Sequence, residues 1–190
     1  MEAVSVTNVR RFQPQPEWFA RGPGGIHGIV HETRVLIWSQ VLAAMVADEG
    51  LVVDPDVLGW ASALHDTQRL SDDRDPEHGS RAAAWIEQRP DLIPPPVPLA
   101  RVAYLCRWHV PPDHAAPELT DELRVFKDAD ALDRWRIYDL DPTLLRTRSA
   151  HRLLTASREL WSLTDVVNAG AQGFQQVIQA AVGMGILQDR

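Results

Sequence analysis

Residues 60–66 have the sequence WASALHD, which ends an apolar segment whose spacing predicts a buried helix. Asp54 is a favourable N-cap for this helix, and Pro55 suits its first position. The helix therefore presents His65 and Asp66 side by side at one end of a hydrophobic core. Because a buried carboxylate without a partner would cost several kcal/mol, Asp66 requires a compensating group. A divalent metal ion would satisfy both side chains, since neutral imidazole and carboxylate are standard ligands.

Apolar residues recur at helical spacing over most of the chain, and no run alternates as a strand would, so we predict an all-α fold. Residues 1–25 are rich in proline and glycine and predict an N-terminal arm or loop, followed by a single helical domain over residues 26–190. Asp75 is the predicted N-cap of a helix whose first turn contains His78. The predicted helices cover approximately residues 26–48, 54–66, 75–86, 98–109, 120–136, 149–169 and 172–187.

The two C-terminal helices, within residues 149–187, carry apolar residues that could either cap the bundle or pair two subunits in a homodimer. We favour capping, because a bundle of about five helices leaves a face to cover. These residues are Leu160, Val166, Val167, Phe174, Val177 and Ile178.

The chain has 190 residues, the length of one ordinary domain. It shows neither a signal peptide nor a run of roughly twenty apolar residues, so no membrane span is predicted. The single cysteine, Cys106, excludes an internal disulfide framework and fits a cytoplasmic protein. The net charge of −7 argues against an extended nucleic-acid surface, although a local cluster of cations could still bind a phosphate substrate.

Several His and Asp side chains end on the apolar faces of different predicted helices. Metal sites in helical cores are built in this way, from inward side chains on facing helices. Each residue also has a simpler interpretation, because a lone inward His is usually a hydrogen-bonded core residue. The joint pattern nevertheless favours a metal site. The residues are His31, His65, Asp66, His109 and Asp130.

The last acidic residue of this set has alternatives. Asp130 could instead pair with Lys127 or Arg134 on the same helix. Asp128 also has apolar neighbours at helical spacing, so periodicity does not choose between Asp128 and Asp130 as a metal ligand.

Three short motifs follow one another along the chain: HETRV at residues 31–35, ALHD at residues 63–66 and KDADALD at residues 127–133. In this order they resemble the HD-domain superfamily of metal-dependent phosphohydrolases. The resemblance covers roughly residues 27–135 and implies an all-α bundle that binds one divalent metal ion, with Mn, Fe, Ni, Zn, Co and Mg as candidates.

The resemblance also implies which residues bind the ion. Asp130 is preferred over Asp128 because the last ligand of the family lies in an Ala-Asp-x-Leu setting, which residues 129–132 match. The implied ligands are His31, His65, Asp66 and Asp130.

Two further histidines lie between the His-Asp pair and the last Asp, where some HD-domain branches hold a second metal ion. His78 could bind that ion, contact a substrate phosphate at a helix N-terminus, or be a surface residue. His109 could be a second-metal ligand, a substrate contact or a core residue. His27 is a candidate for the rim of the pocket.

The reaction implied by the resemblance is hydrolysis of a nucleotide or another small phosphate ester. The metal ion, held in part by Asp66 as a catalytic residue, would lower the pKa of bound water and polarise a phosphoryl oxygen. Negative charge develops on the phosphoryl oxygens, so cations should line the site. Each candidate cation could equally be a surface or salt-bridge residue. Arg34 and Lys127 are the catalytic candidates, and Arg69 and Arg81 join His78 and His109 as substrate-binding candidates.

Two other classes of function fit the same residues. An HD-fold di-iron oxygenase would use His78 and His109 to bind a second iron. A non-catalytic, metal-stabilised module would bind a ligand or partner without chemistry, although the intact set of ligands argues against it. The number and identity of bound metal ions would discriminate among the three.

Overall fold

The computed structural model describes residues 4–165 and 170–189. These residues contain eight α-helices and no strand, so the predicted all-α class is confirmed. The predicted residues Val166 and Val167 lie outside the described residues. The helices are α1 (Val6–Arg10), α2 (Ile29–Met45), α3 (Pro55–Leu64), α4 (His78–Glu87), α5 (Leu99–Trp108), α6 (Asp121–Leu132), α7 (Arg148–Thr164) and α8 (Gly173–Gly183).

Helix α2 is the centre of the bundle and packs against α3, α6, α7 and α8. Together with the 3₁₀ turn that follows it, the segment Ile29–Glu49 is long and apolar enough to cross a membrane by length and composition alone. However, 78% of its most apolar window is buried inside the fold, as expected for a core helix. Its buried residues include charged ones, Glu32 and Arg34, which must find partners within the bundle.

Helix α3 begins as its sequence predicts. The carboxylate of Asp54 accepts hydrogen bonds from the backbone N–H groups of Asp56 and Val57, and Pro55 is the first helical residue. The helix ends at Leu64. The His65-Asp66 pair therefore follows directly after the last turn, and both side chains are buried in the bundle.

The predicted start of α4 is wrong. This helix begins at His78 after Glu77, and Asp75 is not its N-cap. The carboxylate of Asp75 instead accepts the backbone N–H of Leu70 at 2.8 Å and forms a salt bridge with Arg81. Asp75 thus closes the loop between α3 and α4, and this competing role leaves it unable to cap the helix.

The N-terminal arm is packed into the domain and partly helical. Ser5 caps helix α1, and the side chains of Val6, Val9 and Phe12 are buried. The Phe12 ring occupies the space where a Cβ on Gly59 would lie, only 2.6 Å from its ring atoms. The arm therefore packs directly on helix α3.

The C-terminal helices cap the bundle, as predicted for the described part of that set. Helix α8 packs against both α2 and α7. The described residues of the predicted capping set, Leu160, Phe174, Val177 and Ile178, are all buried. The two ends of the described chain also meet, because Val6 N–H donates to Gln188 O and Gln188 N–H donates to Val4 O, each at 2.9 Å.

Candidate metal centre

Four of the predicted ligands converge between helices α2, α3 and α6. The Nε2 atoms of His31 and His65 lie 3.2 Å apart. Oδ1 of Asp130 lies 3.6 Å from Nε2 of His31 and 3.9 Å from Nε2 of His65. Oδ2 of Asp66 lies 3.5 Å from Nε2 of His31. Ligands placed about 2.1 Å from one ion would be separated by roughly 3 to 4 Å. The spacing within His31, His65 and Asp130 is therefore compatible with a shared divalent ion, and Asp66 forms further groups of the same kind with His31 and with His65. We call these four residues the primary cluster.

Asp66 also faces a second pair of histidines. Its Oδ1 lies 2.8 Å from Nε2 of His78, which opens helix α4, and 3.7 Å from Nε2 of His109, which follows helix α5. The two imidazole nitrogens are 2.9 Å apart. His78, His109 and the shared Asp66 form what we call the secondary cluster, with three ligand atoms compared with four in the primary cluster.

The tautomers of all four histidines follow from the partners of their other ring nitrogen. Each Nδ1 lies within hydrogen-bond distance of an oxygen that can only accept, so Nδ1 carries the proton and Nε2 presents a lone pair. The Nδ1 partners are Asp133 Oδ2 for His31 (2.7 Å), Ser62 O for His65 (3.1 Å), Asp75 O for His78 (2.5 Å) and Cys106 O for His109 (2.7 Å). Nη1 of Arg69 also lies 3.0 Å from Nδ1 of His78, but the closer carbonyl of Asp75 determines the tautomer.

In each cluster, two imidazole lone pairs therefore face each other at 3.2 or 2.9 Å. Two acceptors at such a distance repel unless a cation, either a proton or a metal ion, lies between them. Asp66 Oδ1 is in addition one of three buried polar side-chain atoms in the described residues that have no hydrogen-bond partner. The arrangement is that of a cation site, and its nitrogen and oxygen donors suit a divalent metal.

The electrostatics of the cluster also favour a bound positive charge. Burial alone would lower the pKa of His65, but the carboxylates of Glu32 and Asp66 outweigh burial and raise this pKa to about 10. Burial opposes ionisation of Asp66 and Asp130, yet the charge of His65 holds the pKa of both carboxyls below the usual range. Without a metal ion, the protein thus retains a proton on His65 near neutral pH.

His31 is held in place by a buried chain of charges that the sequence analysis did not find. Asp133, which accepts the Nδ1–H of His31, forms a two-pronged salt bridge with the guanidinium of Arg34. The remaining nitrogen of Arg34 donates to the backbone oxygen and hydroxyl of Thr164, at the end of α7, both at 3.2 Å. The side chains of Arg34 and Asp133 are only 3% and 1% exposed, so neither charge can turn to solvent instead.

Glu32 and His27 are two further residues in contact with the ligands. Glu32 is fully buried; one oxygen accepts the backbone N–H of Asp66 and the other lies 2.8 Å from His65. It was overlooked because it directly follows His31 and has no periodic signal of its own. His27, predicted at the rim of the pocket, lies there, with Nδ1 2.7 Å from Asp66 Oδ2. Burial lowers the pKa of His27 to about 4, so its ring is neutral near pH 7.

The alternative ligand Asp128 points away from the histidines. Its carboxylate accepts the backbone N–H groups of Arg146 and Thr147 and the Thr147 hydroxyl, at 2.8 to 3.0 Å. Asp128 therefore holds the segment that leads into α7. Of the two candidates, Asp130 is the one beside the imidazoles, and it does not make the alternative salt bridge to Lys127 or Arg134.

The structure does not bring three of the four predicted cations into the cleft. Arg34 lies behind His31, as described above. Arg81 forms a salt bridge with Asp75 and donates a hydrogen bond to the backbone oxygen of Gln68. Lys127 is buried and donates to Pro111 O and Asp113. Sequence separation of three or four residues from a ligand correctly puts each cation near the cluster but does not say on which side of it a long side chain lies.

Asp66 and Asp130 of the primary cluster, with His78 and His109 of the secondary cluster, line an open cleft with a volume of about 790 Å³, and His31 and His65 lie buried behind them. Arg69, the fourth predicted cation, lines this cleft, together with Arg74, Arg134 and Arg136. Arg136 is almost buried: its Nε donates to Ile26 O and one terminal nitrogen lies 3.2 Å from His27 Nδ1. The side chain is thereby directed to the base of the cleft, beside Asp130.

The protein has no match among protein-family models, curated proteins or solved structures. The assignment of a function therefore depends on the geometry of the site.

Proposed function

We propose that this protein is a metal-dependent phosphohydrolase that acts on a nucleotide or another small phosphate ester and resembles the HD-domain superfamily. In this proposal the primary cluster, His31, His65, Asp66 and Asp130, binds one divalent ion. The observation that carries the proposal is the convergence of two imidazole Nε2 atoms with two carboxylates that line a cleft, which also contains guanidinium groups. When bound, such an ion would activate water and polarise a phosphoryl oxygen.

The residues of the chain would bind and orient the substrate around this centre. Arg136, held by Ile26 O and Asp133 O, presents its guanidinium beside Asp130 and can donate to phosphoryl oxygens. Arg69, which lines the same cleft, is similarly held by two backbone carbonyls, of Ser71 and Asp73. Two pre-positioned cations of this kind stabilise charge that develops on phosphoryl oxygens without reorganising.

A single ion is favoured by the position of Arg69. Its Nη1 lies 3.7 Å from Asp66 Oδ1 and 3.0 and 3.4 Å from Nδ1 and Nε2 of His78, so a permanent positive charge already lies beside the secondary cluster. A second dication there would meet Coulomb repulsion that an ion in the primary cluster avoids. His78 and His109 then serve as contacts to the substrate.

The secondary cluster is also the observation that favours the second candidate, a di-iron oxygenase. Its three donor atoms could bind an iron that shares Asp66 with the first. Two irons per chain after purification, together with dioxygen consumption in the presence of a small polar substrate, would support this candidate over the hydrolase.

Hydrolysis is tested by incubating the protein, loaded in turn with Mn, Fe, Ni, Zn, Co and Mg, with nucleoside phosphates and sugar phosphates. We expect phosphate release that depends on the metal and falls by at least about 100-fold in Asp130→Asn, which replaces a ligand. The matched control is Asp139→Asn, a carboxylate on the rim of the same cleft that touches neither cluster. Failure of every metal to support release of phosphate would contradict the proposal.

Metal binding is expected to release a proton and to strengthen as pH rises. Below a pKa of about 10, His65 of the metal-free protein carries the extra proton that an ion must displace. The apparent association constant should therefore increase by about tenfold per pH unit between pH 6.5 and 8 if one proton leaves. Calorimetric titration in two buffers with different ionisation enthalpies measures this proton. Equal heats in the two buffers would show that His65 is not protonated.

Replacing His78 is expected to leave the number of bound ions unchanged at one per chain, because the primary cluster retains its four ligands. His78→Ala, which removes an imidazole from the secondary cluster, can be compared with His65→Ala, which removes one from the primary cluster. Elemental analysis after dialysis should show loss of the ion only in His65→Ala. A decrease from two ions to one in His78→Ala would instead show that the secondary cluster binds metal.

A further inference from the structure

A second cavity, of about 360 Å³, lies between the N-terminal arm and the His-Asp pair. It shares four residues with the main cleft: His27, Asp66, Arg69 and Asp72. The two cavities therefore meet at the candidate metal centre. A molecule bound by the primary cluster can extend into either one.

The wall of this second cavity is a glycine-rich segment, residues 22–25, whose shape depends on glycine. Gly25 has a φ of 86°, a left-handed conformation, and a Cβ there would lie 3.2 Å from the Asp72 carboxylate. The segment is anchored on both sides, because Ala20 N–H donates to Thr67 O at 2.8 Å and Ile29 N–H donates to Pro23 O at 2.9 Å. These hydrogen bonds and the glycine conformation fix the shape of this wall of the cavity.

The two cavities differ in charge. Apart from the ligands Asp66 and Asp130, the main cleft is lined by five carboxylates and four guanidinium groups. The arm cavity has two guanidinium groups, Arg21 and Arg69, and one carboxylate, Asp72. Of the two, the arm cavity is therefore the one in which cations outnumber anions outside the metal ligands. An anionic group next to the metal centre is better placed there.

Arg21 is available to such a group. Its salt bridge to Asp72 is 3.1 Å long, and the two side chains are 47% and 44% exposed. Ion pairs this exposed are weak, so a ligand anion can compete with Asp72 for the guanidinium. Gly24 and Gly25 also line this cavity, and their N–H groups make none of the backbone hydrogen bonds found in the described residues.

We propose that the arm cavity binds a second anionic group of the substrate, a phosphate attached to the one that reacts, through Arg21 and Arg69. This inference rests on the proposed function and narrows its substrate to a compound with two adjacent phosphates, such as a diphosphate ester. It assigns substrate recognition to the N-terminal arm, outside the three motifs that carry the family resemblance.

The inference is tested with inorganic pyrophosphate and inorganic phosphate as probes, titrated calorimetrically into the Mn-loaded protein. We expect pyrophosphate to bind at least tenfold more tightly than phosphate. Arg21→Gln should remove most of this preference, and Arg21→Lys should restore part of it. Asp72→Asn should strengthen pyrophosphate binding, because it removes the carboxylate that competes for Arg21. Phosphate affinity should change less than pyrophosphate affinity in each of these variants.

The opposite signs for Arg21→Gln and Asp72→Asn distinguish anion binding from mere support of the arm, since loss of a structural salt bridge would weaken binding in both. Arg11→Gln is the matched control, because it breaks another exposed salt bridge of the arm, to Asp56, away from the cavity. Equal binding of the two probes, no binding of either, or equal effects of Arg21→Gln and Arg11→Gln would overturn the inference. If pyrophosphate is preferred but no phosphate ester is hydrolysed, the proposed function fails while the anion site stands.

Discussion

Asp66→Ala is expected to abolish metal binding altogether, the largest functional effect of any single substitution in this protein. Asp66 is the one residue shared by both clusters, with Oδ2 facing His31 and Oδ1 facing His78 and His109. Removing it leaves imidazoles without the carboxylate that favours a cation between them. Since loss of even an outer-shell partner costs 10- to 100-fold in affinity, loss of this ligand should cost more than about 100-fold.

Metal content per chain after dialysis, with affinity from competition against a chelator, measures the effect of Asp66→Ala. Asp73→Asn is the control, because it removes a carboxylate charge from the same cleft without touching either cluster. Circular dichroism and thermal unfolding of the metal-free proteins establish that both variants fold. A folded Asp66→Ala protein that retains its ion would show that the ion lies elsewhere, and the proposed metal centre would have to be abandoned.

Arg34→Leu is expected to cause the largest loss of stability, about 3–5 kcal/mol in the free energy of unfolding of the metal-free protein. The substitution removes the two-pronged partner of the buried Asp133 carboxylate and leaves Nη1 of Arg136, 3.7 Å away, as its remaining guanidinium contact; breaking a buried ion pair in this way is costly. It also removes the hydrogen-bond donor to the backbone oxygen of Thr164 at the end of α7. Urea unfolding, with midpoint and slope measured together, gives the change.

The double variant Arg34→Leu/Asp133→Leu separates stability from positioning. Replacing both members of a buried ion pair with apolar residues is often neutral, so much of the lost stability should return. His31, however, would still lack the acceptor for its Nδ1–H, so metal affinity should remain about 10- to 100-fold below that of the natural sequence. Recovery of both stability and affinity would mean that Asp133 does not position His31.

The primary cluster could be predicted from sequence because each of its side chains follows from a local pattern. His31 lies near the start of α2, a helix that is buried on almost every side, and Asp130 lies on the amphipathic helix α6. His65 and Asp66 directly follow a helix whose N-cap and apolar spacing are both clear. The choice of Asp130 over Asp128 needed the family resemblance at the sequence level. In the structure it follows from the backbone N–H groups that Asp128 accepts.

The supporting residues could not be predicted, because their roles depend on contacts between distant parts of the chain. Asp133 meets Arg34 across a separation of 99 residues, and Arg34 meets Thr164 across 130. No periodic pattern in the sequence indicates a contact across either separation. The packing of Phe12 into the space beside Gly59 is of the same kind, which explains why the arm was expected to be irregular. Composition suggested a loop, whereas burial of a few apolar side chains makes it part of the core.

The brace from Thr164 through Arg34 and Asp133 to His31 has a consequence for the order of events during synthesis. A ribosome releases the chain from its N-terminus, so all four residues of the primary cluster leave it before Thr164 does. The nascent chain therefore presents the four candidate ligands, Arg34 and Asp133 before Thr164 can accept the hydrogen bonds of Arg34. Under the proposed function, binding of an ion and docking of helix α7 are separate steps, and the first can begin before the second.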